Sequence, residues 1–271
     1  MAWSLDGCRA RLERFDKHLD CLHEENGLYV KDSPYEILSE FDADTGWHTI
    51  YLSAKSLRPI FGLLVGEAAH ELRAALDNIA WQLANLDGPP AFPDKIQFPI
   101  MSREPKNFVA SPYMSGMRPQ HKAVLEPLQP YAARKSGQCP PGQMTNLEHL
   151  AWINNTDKHK LVHATASLAE DVAPSILQAH EGYRLAASEF VQGRIVIEQK
   201  TEIGKVCVRP TESKLQMEMH GAIDVGIAFG DRTSPLYGIA ADGALRQMKQ
   251  GVEQIIAVLD RPGINGVPPW P

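Results

Sequence analysis

The 271-residue chain carries 27 Lys and Arg against 33 Asp and Glu, a net charge of −6 with a pI near 5.9. That balance argues against a strong, sequence-independent nucleic-acid binder, while leaving room for a local basic patch. With 44% hydrophobic and 22% charged residues, the composition is that of an ordinary globular protein, long enough for one large domain or two small ones.

Residues 4–24 read as an amphipathic helix. Leu5, Cys8, Leu12, Phe15, Leu19 and Leu22 recur three and four apart, and Asn26-Gly27 is expected to end it. Residues 35–52 read as a β-hairpin, with Tyr35-Glu36-Ile37-Leu38 and Thr49-Ile50-Tyr51-Leu52 flanking the turn-rich Asp42-Ala43-Asp44-Thr45-Gly46. Residues 57–86 form the longest predicted helix, closed by Asp87-Gly88-Pro89-Pro90. The segment 88–142 is rich in Pro and Gly, with one short helical candidate near 119–128; so long a loop region is expected to be functional or to cover a site.

A third long helix is expected over 143–168. The period then changes to two. Ile195-Val196-Ile197, Val206-Cys207-Val208, Leu215-Met217-Met219 and Ile223-Val225-Ile227-Phe229 predict an antiparallel meander over about 174–230. Leu245, Met248, Val252, Ile255, Ile256 and Leu259 mark a C-terminal helix. The expected class is α+β, a helical-bundle core of four long helices with an N-terminal β-hairpin and a small antiparallel β-meander. The expected organisation is a helical domain over 1–172, including the hairpin and the cover, and a second part over 173–271, whose meander and final helix pack back on the bundle. A single domain is the alternative.

No segment is apolar for long enough to span a bilayer, the longest being about Ile60 to Val65. Cys8, Cys21, Cys139 and Cys207 show no C-x-x-C spacing and read as reduced thiols in a cytoplasmic protein. The run Met1-Ala2-Trp3-Ser4-Leu5-Asp6 lacks a basic region followed by an apolar one, so no secretory signal is expected. No G-x-S-x-G, P-loop or Rossmann glycine fingerprint is present.

The chemistry concentrates on the second helix. Wound at roughly 100° per residue, it gathers Val65, Ala69, Leu72, Leu76, Ile79, Ala80 and Leu83 on one arc as a core stripe. Glu67, His70, Arg73, Ala74, Asp77, Asn78 and Trp81 share the opposite arc. His70, Arg73 and Asp77 are neighbours at three- and four-residue spacing, so their side chains can touch. A solvated face with one ion pair, Arg73 to Asp77, is the bland reading. Trp81 on the polar arc points instead to a covered face, and the small Ala74 leaves room for a ligand.

On the predicted 143–168 helix, His149, Trp152, Thr156, His159 and His163 share a stripe. His159 and His163, at i and i+4, could bind one metal ion. Glu67-x-x-His70 resembles the carboxylate–histidine pairs of metal sites in helix bundles, which use two such motifs where this chain has one. Asn154-Asn155-Thr156-Asp157 is a poor helix former, and local preference is often broken where function demands it.

These residues carry a resemblance. The chain resembles a group of bacterial proteins without an assigned activity, typified by a G-D-x-x-H-N-L-R-S-A-L-D-H-L-x-W-x-L helix followed by F-P-I, L-Q-P-Y and N-x-D-K-H-R. Here these appear as Gly66-Glu67 through Trp81-Gln82-Leu83, Phe98-Pro99-Ile100, Leu128-Gln129-Pro130-Tyr131 and Asn155 through Lys160, over roughly residues 30–165. Arg73 through Asn78 is also similar to the Arg-x4-6-His signature of HEPN domains, helical bundles found in ribonucleases of toxin–antitoxin and phage-defence systems. Asn78 stands where the family has its histidine, and an amide does not titrate near neutral pH. The resemblance then implies either an inactive member or one in which His70 or His159 supplies the imidazole.

Three functions follow as expectations. The first is a HEPN-like protein with a polar site between the two helices, acting on RNA or a nucleotide by general acid/base chemistry and needing no cofactor. Its site would comprise His70, Arg73, Asp77, Asn78, Asp157, Lys158 and His159, with Trp81, Trp152 and Lys160 binding substrate. The second is a metal-dependent hydrolase or oxygen-using enzyme holding a divalent transition metal on Glu67, His70, His159 and His163. The third is a non-catalytic binding module. The expected partner is a small polar or phosphate-bearing ligand, RNA included, with no membrane; the sequence leaves a homo-oligomer open.

Overall fold

The computed structural model describes residues 3–32, 35–168, 177–178, 184–191, 193, 195–197, 200–209, 218–219, 225–261 and 264. The chain is mixed α+β. In order it forms α1 (Asp6–Lys31), β1 (Tyr35–Asp42), β2 (Trp47–Ala54), α2 (Ile60–Ala84), α3 (Pro119–Leu125), α4 (Pro130–Lys135) and α5 (Asn146–Asp157). Then follow β3 (Ala164–Leu168), β4 (Leu177–Gln178), β5 (Arg184–Phe190), β6 (Ile195–Val196), β7 (Thr201–Arg209), β8 (Glu218–Met219), β9 (Val225–Phe229) and α6 (Ala241–Leu259). Among the described residues no helix is long and apolar enough to cross a membrane.

The chain divides into two compact units, each assembled from separated segments. One comprises Met1–Cys21, Gly62–Val162 and Asp242–Pro271; the other comprises Leu22–Phe61 and His163–Ala241. This differs from consecutive parts 1–172 and 173–271. The hairpin groups with the later strands, and the C-terminal helix groups with the early helices.

The first unit is helical. The core stripe predicted for α2 is buried in full, Val65, Ala69, Leu72, Leu76, Ile79, Ala80 and Leu83 included. So is that of α6, from Leu245 to Leu259. Burial of such stripes, rather than intrinsic propensity, supplies most helix stability. Polar bonds fix how the long helices meet. Cys8 Sγ of α1 donates to Ala75 O of α2 at 3.4 Å, while Arg11 and Arg14 of α1 pair with the buried Glu71 of α2 at 2.9 and 3.1 Å. Asn146 of α5 donates to Gln247 O of α6 at 3.3 Å, and Lys249 of α6 pairs with Asp16 of α1 at 2.7 Å.

The second unit holds the sheets, each antiparallel. The predicted hairpin forms, with Tyr35 opposite Ala54 and Asp42 opposite Trp47, as two strands of a four-stranded sheet ordered β1-β2-β7-β5. A second sheet is ordered β6-β3-β9, and β4 pairs with β8. Ile50 and Leu52 of β2 and Ile203 and Val206 of β7 pack with Ala166, Ile195 and Ile197 in one apolar cluster.

Three sequence expectations change. Helix α1 runs through Asn26-Gly27 to Lys31, because the residues beyond repay the unfavourable glycine. Tyr29 and Val30 pack on the sheet cluster, and Tyr29 Oη donates to Lys55 O at 2.7 Å. The helix expected over 143–168 occupies only Asn146–Asp157, opened by a capping box in which Thr145 and Glu148 exchange hydrogen bonds; residues 164–168 are strand β3. The expected meander is instead distributed over three sheets, and Leu215, Met217 and Ile223 lie outside the described residues.

Candidate functional site

Two residues of the polar arc of α2, Arg73 and Asp77, meet the Pro/Gly-rich segment. Arg73 and Asp77 form an i, i+4 pair, Nη2 to Oδ1 2.9 Å and Nε to Oδ2 3.1 Å. Together they clamp one residue of that segment. Phe98 N donates to Asp77 Oδ1 at 2.8 Å, and Arg73 Nη2 donates to Phe98 O at 2.8 Å and to Gln97 Oε1 at 3.3 Å. The fork thus satisfies both backbone groups of a buried residue outside regular structure.

The next residues are tied just as closely. Met101 N donates to Gln129 Oε1 at 3.1 Å, and Tyr131 N donates to Met101 O at 3.2 Å. Arg134 donates to Ser102 O at 2.8 Å and forms a two-pronged pair with Glu148 of α5, at 2.8 and 2.6 Å. Burial pushes the Glu148 carboxyl up, but the hydrogen bonds from Arg134, Ser102 and the Thr145 amide outweigh it and hold the group at about 2. Contacts therefore run from α2 through residues 97–102 and 129–134 to Glu148 of α5.

Between them lies a cleft of about 260 Å³. Arg73 and Asp77 of α2 line one side; Gln97, Phe98 and Tyr113 come from the cover; Asn154, Asn155 and Lys158 come from the end of α5. Asp77, the one carboxylate in the lining, is already engaged by Arg73 and the Phe98 amide. Lys158 is exposed, and its ammonium has no hydrogen-bond or ion-pair partner among the described residues. The cleft thus presents an uncompensated ammonium, the edge of a guanidinium, and amides able to donate or accept.

Of the residues predicted for the site, Arg73, Asp77 and Lys158 line this cleft. His70 reaches it indirectly, its Nδ1 lying 3.3 Å from Oδ1 of Asn154, which is buried. Asn78 turns away: it donates to Ala74 O at 3.0 Å and lies beside Gly7 of α1. His159 and Lys160 follow the end of α5, exposed, and neither lines the cleft. Trp81 is 39% exposed, so it is not the covered aromatic its position on the arc predicts. Trp152 is half-buried and outside the lining.

Asp157 lies against α2. Its carboxylate occupies the space a Cβ at position 66 would need, so only glycine permits this approach of α5 to α2. Burial raises the Asp157 pKa, the charge of Glu67 raises it further, and His70 acts in the opposite sense. Glu67 in turn pairs with His18 of α1, at 3.2 Å.

The helical pair expected of His159 and His163 does not form: helix α5 ends at Asp157, so the two never take the i, i+4 spacing of one helix. Asn, Thr and Asp side chains compete for backbone hydrogen bonds, so the run Asn154 to Asp157 that broke helix preference marks the helix end. Among the described residues, no group of three or more His, Cys, Asp or Glu is arranged to hold a metal ion.

Sequence reasoning missed Gln97, Tyr113 and His18. The first two sit in an aperiodic segment, where no face can be read, and His18 looks like one more polar residue on α1. Asn154 and Asn155 carried a signal, their poor helix propensity. No family model matches the chain, and no curated protein and no solved structure matches it either.

Proposed function

We propose that the cleft between α2, the cover and α5 binds a small phosphate-bearing ligand. The observation that carries this reading is the unpartnered Lys158 ammonium beside a guanidinium, in a cleft whose one lining carboxylate is already neutralised. Phosphate oxygens suit that donor set, and Asn154, Asn155 and Gln97 can meet the rest of a polar molecule. With a net charge of −6, a single exposed nucleotide or chain end is a better partner than a duplex, whose backbone needs a broad basic surface. The HEPN-like resemblance supports the same ligand class.

Binding is tested by following the Asn154, Asn155 and Tyr113 amide resonances during titration with inorganic phosphate and adenosine monophosphate. Saturable shifts are expected for both. Lys158→Ala should weaken binding roughly tenfold, the usual worth of one charge-assisted hydrogen bond. Unmoved resonances, or an Lys158→Ala variant that binds normally, would overturn the reading.

A second reading adds proton transfer, favoured by the contact of His70 with Asn154. His70 would act as general acid or base through Asn154 or a water, in place of the histidine the HEPN signature puts at position 78. Incubation with tRNA and total RNA without added metal tests it. Cleavage abolished by His70→Ala and kept by His159→Ala is expected; intact RNA would eliminate it.

A further inference from the structure

The second unit contains a cleft of its own, of about 300 Å³, where the chain leaving β2 (Lys55, Ser56) meets the start of β3 (His163 to Ala166), the end of β6 and Gly230. Its walls are held by main-chain and hydroxyl bonds. Lys55 O accepts from Tyr29 Oη at 2.7 Å, Gly230 N donates to His163 O at 2.8 Å, and Thr165 Oγ1 donates to Ile197 O at 3.3 Å.

Gly230 is a flat wall. A Cβ there would stand 2.9 Å from Thr165 Cβ and 3.0 Å from His163 Nδ1, closer than unstrained side chains come. The imidazole of His163 thus lies beside the bare backbone of Gly230. The ring nitrogens of His163 and the Lys55 ammonium have no partner among the described residues, and both side chains are exposed. Among the described residues no carboxylate lines the cleft, whereas Val196, Ile197 and Ala166 give it an apolar floor.

From this arrangement we infer that the second unit carries an anion-binding cleft, in which Lys55, His163 and the Ser56 hydroxyl hold an oxyanion against the Gly230 wall. The polarity follows from the lining: an ammonium, an imidazole and a hydroxyl supply donors, and no described residue of the lining is anionic. The shared chemistry is a phosphate or carboxylate head, free or borne by an organic molecule. The apolar floor favours the latter, because a short hydrocarbon beside the head would be buried there. All these residues belong to one unit, so this cleft stands or falls apart from the one between α2 and α5.

The test follows the His163 side-chain resonances of the intact protein during titration with inorganic phosphate and with butyl phosphate, each to about 50 mM, far above a millimolar dissociation constant. Saturable shifts of His163 are expected with both, and butyl phosphate should bind several-fold more tightly. Lys55→Gln should weaken both at least fivefold. Gly230→Ala, checked for folding by its melting curve, should displace the imidazole and remove the response. A His163 signal that does not move, or an unchanged response in Lys55→Gln, would overturn the site. Equal affinity for the two phosphates would overturn the role given to the apolar floor.

Discussion

Asp77 and Phe98 are joined across 21 residues of chain by a 2.8 Å hydrogen bond from the Phe98 amide to a carboxylate already paired with Arg73. The arginine returns to the same residue through its carbonyl. What looked in sequence like a surface ion pair, or part of a catalytic face, therefore holds the cover in place. Asp77→Ala should cost about 2 kcal/mol, because it strands the Phe98 amide and a largely buried guanidinium together. The melting temperature should fall by several degrees, and proteolysis should appear first near residues 97–101. Unchanged melting would mean that the clamp contributes nothing.

Gly66 and Asp157 should behave as a coupled pair. Gly66→Ala is expected to destabilise by roughly 1–3 kcal/mol, since the added methyl meets the carboxylate directly. Removing that carboxylate in Gly66→Ala/Asp157→Ala should recover most of the loss. A double-mutant cycle measures this, and strict additivity would contradict the contact.

Asp157 also makes stability depend on pH in an uncommon direction. Its pKa is raised in the folded state, so between the ordinary carboxyl value and the folded one the native chain holds more protons than the unfolded chain. Its contribution is present at acid pH and lost as pH rises through the folded pKa. Asp157→Asn should therefore match the parent below the ordinary aspartate range and exceed it in stability at neutral pH, as chemical denaturation across that range would record.

Glu148 has the opposite sign. Held at about 2 by Arg134 and its neighbours, it contributes stability above the ordinary glutamate range, and that contribution is lost as pH falls toward about 2. A shift of that size corresponds to roughly 3 kcal/mol. Glu148→Gln should be less stable than the parent at pH 7, with the gap closing on acidification. A constant gap at all pH values would show that the loss is one of packing.

Periodic segments were readable from the chain, and their terminations were not. The stripes of α2 and α6 are legible because three- and four-residue spacing admits one buried face, and the hairpin because its turn is bounded by alternating residues. The end of α5 was hidden by His159 and His163, which continue a helical spacing in sequence after the helix has stopped. The candidate site was half legible. Arg73, Asp77 and Lys158 advertise themselves by charge, whereas Gln97 and Tyr113 are brought in by a segment whose path depends on hydrogen bonds to residues some twenty positions away or more.

The partition of the chain has a consequence for how the protein is made. It enters the helical unit, leaves at Leu22, returns at Gly62, leaves again at His163 and returns at Asp242. Neither unit can be excised as one continuous fragment. During synthesis the strands following His163 are complete before α6 emerges, so the helical unit, begun first, is finished last. Until then the surfaces that α6 covers stay open, a period in which nascent chains depend most on chaperones.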